Sequence, residues 1–153
     1  MTIRLRPHHL LCMLTYIGKG YSPAFVRNYD AIAARISAGE ALAVVDGPDD
    51  ICRPLLETPN PHCFNDSVAA RDRRAAADVA ALLGCEIHAG VDLVIDAARI
   101  ALLRTHFAAG SIRAACAGCE WSGLCDGIAG DGFRAVRVAP ADPQDLGKQV
   151  PSL

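Results

Sequence analysis

The chain has 153 residues, a size that suits one domain able to bury about 70% of its unfolded surface, so no disulfide or metal is needed to staple it. Hydrophobic residues make up 52% and charged residues 21%, and no stretch approaches the ~20 consecutive apolar residues of a membrane-spanning helix. With 15 basic and 17 acidic residues the net charge is -2, which lacks the positive field that drives non-specific nucleic-acid binding; neither nucleic acid nor membrane is expected as a partner.

Met1 to Arg6 runs into Pro7-His8-His9 without the small-residue cleavage site of a secretory signal, and a cytoplasmic location is expected. Leu10, Leu11, Met13, Leu14 and Ile17 then predict a short helix that carries Cys12 and ends at Gly18 and Gly20. Ser22-Pro23 is a start signal, a cap followed by a first-turn proline, for a helix with Phe25, Val26, Tyr29, Ile32, Ala33 and Ile36 at helical spacing before Gly39. Leu42 to Val45 reads as a strand that enters the turn Asp46-Gly47-Pro48-Asp49-Asp50, whose aspartates read as turn formers.

Pro54, Pro59 and Pro61 exclude a regular helix, so residues 53–66 are expected to be an irregular loop through His62 and Cys63. From Ser67 to Leu83 a helix is predicted with Val68, Ala75, Val79, Leu82 and Leu83 inward and Asp72, Arg73 and Arg74 outward. Val91 to Ile95 reads as a second strand. Asp96 caps a further helix whose Ile100, Leu103 and Phe107 share a face before Gly110. Ser111 is expected to cap a short helix leading to Cys116, and the glycine-rich stretch from Gly118 to Gly132 reads as non-helical. The fold class is therefore α+β: several helices, a two- or three-stranded sheet and a cysteine-bearing loop region. Residues 1–139 form one domain, and the proline-punctuated residues 140–153 a flexible tail.

Seven cysteines, about 5% of the chain, fall below the ~8–10% of a disulfide scaffold, and in a reducing compartment clustered cysteines point to metal chemistry. Cys116, Cys119 and Cys125 place three thiols within ten residues. Three neighbouring thiolates repel one another unless a cation or cluster compensates them. A fourth ligand would come from Cys63 or Cys52, both in or beside the proline-rich loop. Zinc on four cysteines, or on three with His62, is the alternative, but zinc sites usually arrive as two short-spaced pairs and this chain has a single C-x2-C. Three close cysteines with one remote are nearer to ferredoxin-type ligation of a [4Fe-4S] or [2Fe-2S] cluster. Cys85, beside Leu82 and Leu83, reads as a buried hydrophobe. His8 and His9 read mainly as capping and packing residues, with a subsidiary role at a centre or substrate. P-loop, H-E-x-x-H and G-x-S-x-G signatures are absent.

Arg6-Pro7-His8-His9-Leu10-Leu11-Cys12, Gly18-Lys19-Gly20-Tyr21-Ser22, Gly47-Pro48-Asp49-Asp50-Ile51-Cys52 and Cys116-Ala117-Gly118-Cys119-Glu120-Trp121 resemble the small prokaryotic family catalogued as domain of unknown function 1284. The resemblance runs from Leu5 to about Cys125 and implies an iron-sulphur centre on Cys52, Cys63, Cys116, Cys119 and Cys125, with Cys12 also in the pattern; it implies no reaction. Many relatives carry a further cysteine three residues after Cys52, where this chain has Leu55, which weakens Cys52 as half of a ligand pair. The expected function is an iron-sulphur protein in electron transfer or redox and iron sensing, with a redox partner protein. The alternatives are a zinc-stabilised interaction module and a thiol- or metal-dependent enzyme using His8 and His9.

Overall fold

The computed structural model describes residues 2–54, 66–117, 119 and 121–140. Its elements are β1 (Ile3–Leu5), α1 (His9–Cys12), α2 (Pro23–Ser37), β2 (Leu42–Val44), α3 (Asp66–Leu83), β3 (Asp92–Leu93), α4 (Ala97–Ala109) and α5 (Ser122–Gly130), with a 3-10 turn at Ala114–Cys116 before α5. Among the described residues five α-helices and a three-stranded mixed sheet make the chain α+β, as its pattern predicts.

The sheet order is β1-β2-β3, with β1 parallel to β2 and β3 antiparallel to it. Leu5 lies opposite Val44 in the parallel pair, so both strands deliver the chain to the same edge at their carboxyl ends. There the turn after β1 meets the turn after β2: the Arg4 N–H donates to the Asp50 carboxylate at 2.9 Å, and the Asp50 N–H donates back to the Arg4 carbonyl at 3.1 Å. Carboxyl ends of parallel strands are where loops of distant sequence converge, and ligand sites gather at such edges.

The strongest helix signals are realised. Ser22 accepts the Phe25 N–H at 3.1 Å with Pro23 in the first turn, and Phe25, Tyr29, Ile32, Ala33 and Ile36 are buried. Asp96 caps α4 through the Arg99 N–H at 2.9 Å; Ile100, Leu103 and Phe107 face the core, and Gly110 ends the helix in the left-handed region. α3 packs against α1, α4 and the 3-10 turn, and α4 packs against α5.

Four expectations are corrected. The first helix stops at Cys12 and does not reach Ile17. Ile3–Leu5 is a strand that three residues are too few to announce. The glycine-rich segment holds α5, with Ile128 buried. Ser111 does not cap the turn before Cys116; its hydroxyl donates to the His106 carbonyl at 3.2 Å. Of the expected loop 53–66, residues 55–65 with His62 and Cys63 lie outside the described residues, as do residues 141–153 of the expected tail. No helix among the described residues is long and apolar enough to cross a membrane.

Candidate functional site

At the strand edge a buried polar network replaces the apolar packing found elsewhere. Arg6, only 2% exposed, grips one carboxylate oxygen of Asp72 with Nε at 2.9 Å and a terminal nitrogen at 2.8 Å. The other oxygen accepts from the His8 backbone N–H at 3.1 Å and bonds His8 Nδ1 at 2.6 Å. Asp72 is thus turned inward, not outward with Arg73 and Arg74, which are exposed as expected. Its position follows the stripe: Val68, Asp72, Ala75 and Val79 are all buried at helical spacing.

Asp49 has a second role of the same kind. Its side chain is fully buried, and one oxygen takes the Arg6 N–H at 2.8 Å and His9 Nδ1 at 2.6 Å. The other accepts the Cys52 N–H at 3.1 Å. Burial alone would raise its pKa; His9, the Arg6 N–H and the Cys52 thiol outweigh it and hold the carboxyl down to about 2. His8 is shifted the other way, to about 4, because burial and the neighbouring His9 disfavour its charged form more than Asp72 favours it. It is therefore neutral near pH 7. A carboxylate on Nδ1 fixes an imidazole's tautomer and leaves Nε2 for a proton, metal or ligand.

Both imidazoles line a cavity of about 120 Å³, and so do five cysteines: Cys12, Cys52, Cys116, Cys119 and Cys125. Cys12 comes from the end of α1, Cys116 from the 3-10 turn and Cys125 from α5, so three separate elements converge. Tyr21 and Trp121 meet at the same cavity, edge to face at 5.5 Å, with the indole N–H donating to the phenol oxygen at 2.9 Å. Gly20 lets the Phe25 ring, another lining residue, lie close against the backbone, since a Cβ there would run into it.

Burial pushes the Cys12 thiol well up, and the nearby sulphurs of Cys119, Cys125 and Cys116 add to the shift. Burial raises Cys125 as well, opposed by Thr15, whose hydroxyl stands 3.1 Å from its sulphur. Burial thus keeps Cys12 and Cys125 in the thiol form until a cation compensates the thiolate, as happens on metal binding. None of the six described cysteines forms a disulfide. Two of the three buried side-chain polar atoms without a partner among the described residues border this set: the Tyr29 hydroxyl, which senses Cys12 and Cys125, and Arg113 Nε, whose guanidinium charge acts on Cys116. Each orphaned donor costs about 1–3 kcal/mol unless it finds an acceptor, and a cluster's anionic sulphurs are acceptors.

His9, Asp49 and Cys52 are a further donor group, one atom of each lying within 4.8 Å of the others, close enough to gather around one metal ion. As the side chains stand, the 2.6 Å between His9 and Asp49 is a hydrogen bond, shorter than the ~3.3 Å between two ligands on a tetrahedral metal with ~2.0 Å bonds. Of the residues the sequence singles out, Cys52, Cys116, Cys119 and Cys125 share the cavity, and Cys63 lies outside the described residues. Cys85 packs against the core away from it, as a hydrophobe does. Asp49 and Asp72 are site residues that the turn and helix patterns assign elsewhere.

The fold and the site define a small α+β protein with a cavity walled by cysteines and by carboxylate-held histidines. The family described as "Protein of unknown function (DUF1284)" matches residues 20–125, and the chain belongs to that family. The Arg6-to-Cys12 motif precedes the matched span. No curated protein and no solved structure matches the chain.

Proposed function

We propose that the chain is an iron-sulphur protein whose centre is held in the cavity by Cys116, Cys119 and Cys125, with Cys12 as the fourth ligand, and that it serves electron transfer or redox sensing. The observation that carries this reading is the convergence of these four thiols on one cavity, each within electrostatic reach of Cys12. Cys52 is less suited, because its N–H and thiol are both engaged with Asp49. Among the described residues no three of the sulphurs lie within 4.8 Å of one another. One zinc ion would draw its thiolates to about 3.8 Å, the edge of a tetrahedron with ~2.3 Å bonds, whereas a [4Fe-4S] cluster takes each thiolate on a separate iron and suits the wider set. The cluster would supply reversible one-electron chemistry; the protein supplies the thiolates, the buried donors and the aromatic rim.

The test is anaerobic purification or reconstitution of the full chain. Brown protein with charge-transfer absorption and matching iron and sulphide is expected, lost in Cys119→Ser and retained in Cys85→Ser. Colourless wild-type protein carrying zinc, or equal iron in both variants, would sink the reading.

One observation favours a second reading, a metal-dependent enzyme: His8 and His9, each backed by a buried carboxylate, open on the same cavity. Such networks are costly to bury and concentrate at functional sites. On this reading the histidines are proton-handling groups beside the centre, and His9→Gln should leave iron content unchanged while altering the proton dependence of the centre's reduction. A pH-independent potential in wild-type and variant alike would remove its support.

A further inference from the structure

The donors around the cysteines are not arranged at random. Thr15 Oγ1 is 3.1 Å from Cys125 Sγ and 3.3 Å from the Cys12 carbonyl. A thiolate or cluster-bound sulphur has no proton to give, so once Cys125 is a ligand the hydroxyl must be the donor of that pair. Arg113 is fixed on several sides. Its guanidinium lies over the Phe107 ring at 4.5 Å, pairs with Asp126, and reaches the Ser122 carbonyl and hydroxyl at 3.4 Å. Its side chain is only 16% exposed, its positive charge acts on the Cys116 thiol, and its Nε–H has no acceptor among the described residues. Arg71 adds a positive charge beside Cys12 from α3, and no acidic residue among the described ones lines the cavity.

We propose that Thr15 and Arg113 are positioning residues that set the reduction potential of the centre upward, making it an acceptor for a moderate-potential electron-donor protein instead of a low-potential reductant. The inference rests on the iron-sulphur reading above. Reduction adds one negative charge to a centre that already carries the charge of its thiolates and sulphides. Hydrogen bonds and positive charge at the sulphurs stabilise the reduced form more than the oxidised one, which raises the potential; cluster potentials are set by net charge, sulphur hydrogen bonds and exposure. The donor protein loses one electron, one ferric iron becomes ferrous, and no covalent bond is made or broken. Because Arg113 also stacks on Phe107 and pairs with Asp126, its effect is joined to packing, while Thr15 meets Cys125 through its hydroxyl.

The test is a redox titration of reconstituted full-length protein followed by visible absorption and electron paramagnetic resonance. Thr15→Val removes the hydroxyl at nearly constant shape and should lower the potential, by an amount on the order of a tenfold change in the one-electron equilibrium, about 59 mV. Thr15→Ser restores the donor and should return most of the shift. Arg113→Gln should lower the potential further, and the double variant should approach the sum. Should Arg113→Gln fail to fold, the Thr15 pair still decides. An intact cluster with the same potential in wild type, Thr15→Val and Thr15→Ser overturns the inference while leaving the iron-sulphur reading in place; wild-type protein without a cluster overturns both.

Discussion

At the scale of single residues, the site depends on two buried aspartates with the same task. Asp49 accepts two backbone N–H groups and Asp72 one together with the Arg6 guanidinium, so both are compensated as anions and hold His9 and His8 in one orientation. His8 makes this measurable. An unfolded histidine titrates near ~6.5, whereas in the fold His8 is held to about 4. Between these values the unfolded chain binds a proton that the folded chain refuses, so stability is level above ~6.5 and falls as pH drops toward about 4. The window amounts to at most about 3 kcal/mol. Asp49 acts lower: its contribution is complete above ~3.9 and is lost as pH falls toward about 2. Urea midpoints of chelator-treated protein should therefore decline from about pH 7 to pH 4.5. In His8→Asn, whose amide can still donate to Asp72, that decline should flatten while the acid limb below it persists. An equal slope in both proteins would show that His8 does not carry the effect.

At the scale of elements, what was legible tracks how local the determining physics is. α2 and α4 are written in their caps: Ser22-Pro23 and Asp96 supply the first-turn acceptors, and apolar residues at helical spacing supply the buried face. α5 is the counterexample. Gly123, Gly127 and Gly130 fall within nine residues, each disfavouring helix by up to ~1 kcal/mol, so local propensity argues for a loop. The helix is held instead from outside, by Arg113 on Asp126 and by Ile128 in the interior. β1 is hidden for a different reason, since three residues carry no period and only their pairing with Leu42, Ala43 and Val44 defines them. The site divides in the same way. The cysteine triplet is visible because its members are close in sequence. Asp49 is not, because it is recognised by Arg6 and His9, about forty positions away, and a turn aspartate reads the same with or without them. Asp72 could have been found, as it occupies a stripe position between Val68 and Ala75 where a solvent-facing charge does not belong.

At the scale of the whole molecule, the question is what a bound centre would hold together. The core is continuous from the sheet through α2, α3 and α4, with Ile3, Leu5, Leu42 and Leu103 sealed from solvent; Cys52 belongs to it, and Cys116 and Cys125 pack against it. α5 joins that core thinly, through the partly buried Cys125 and Ala129. A centre on Cys12, Cys116, Cys119 and Cys125 would tie residue 12 to a segment more than a hundred positions later, binding the folded arrangement alone and so stabilising it by mass action. Removing the metal should then release the end of the chain and spare the fold. Chelation of the loaded protein should keep the far-ultraviolet helical signal and cooperative unfolding, lower the Tm, and open the segment around Arg113 to Arg134 to trypsin. A small metal-nucleated module would behave differently, losing its helical signal outright on chelation, because there binding energy is folding energy. Observing that collapse here would mean that the apolar core is insufficient by itself and that the centre is structural before it is redox-active.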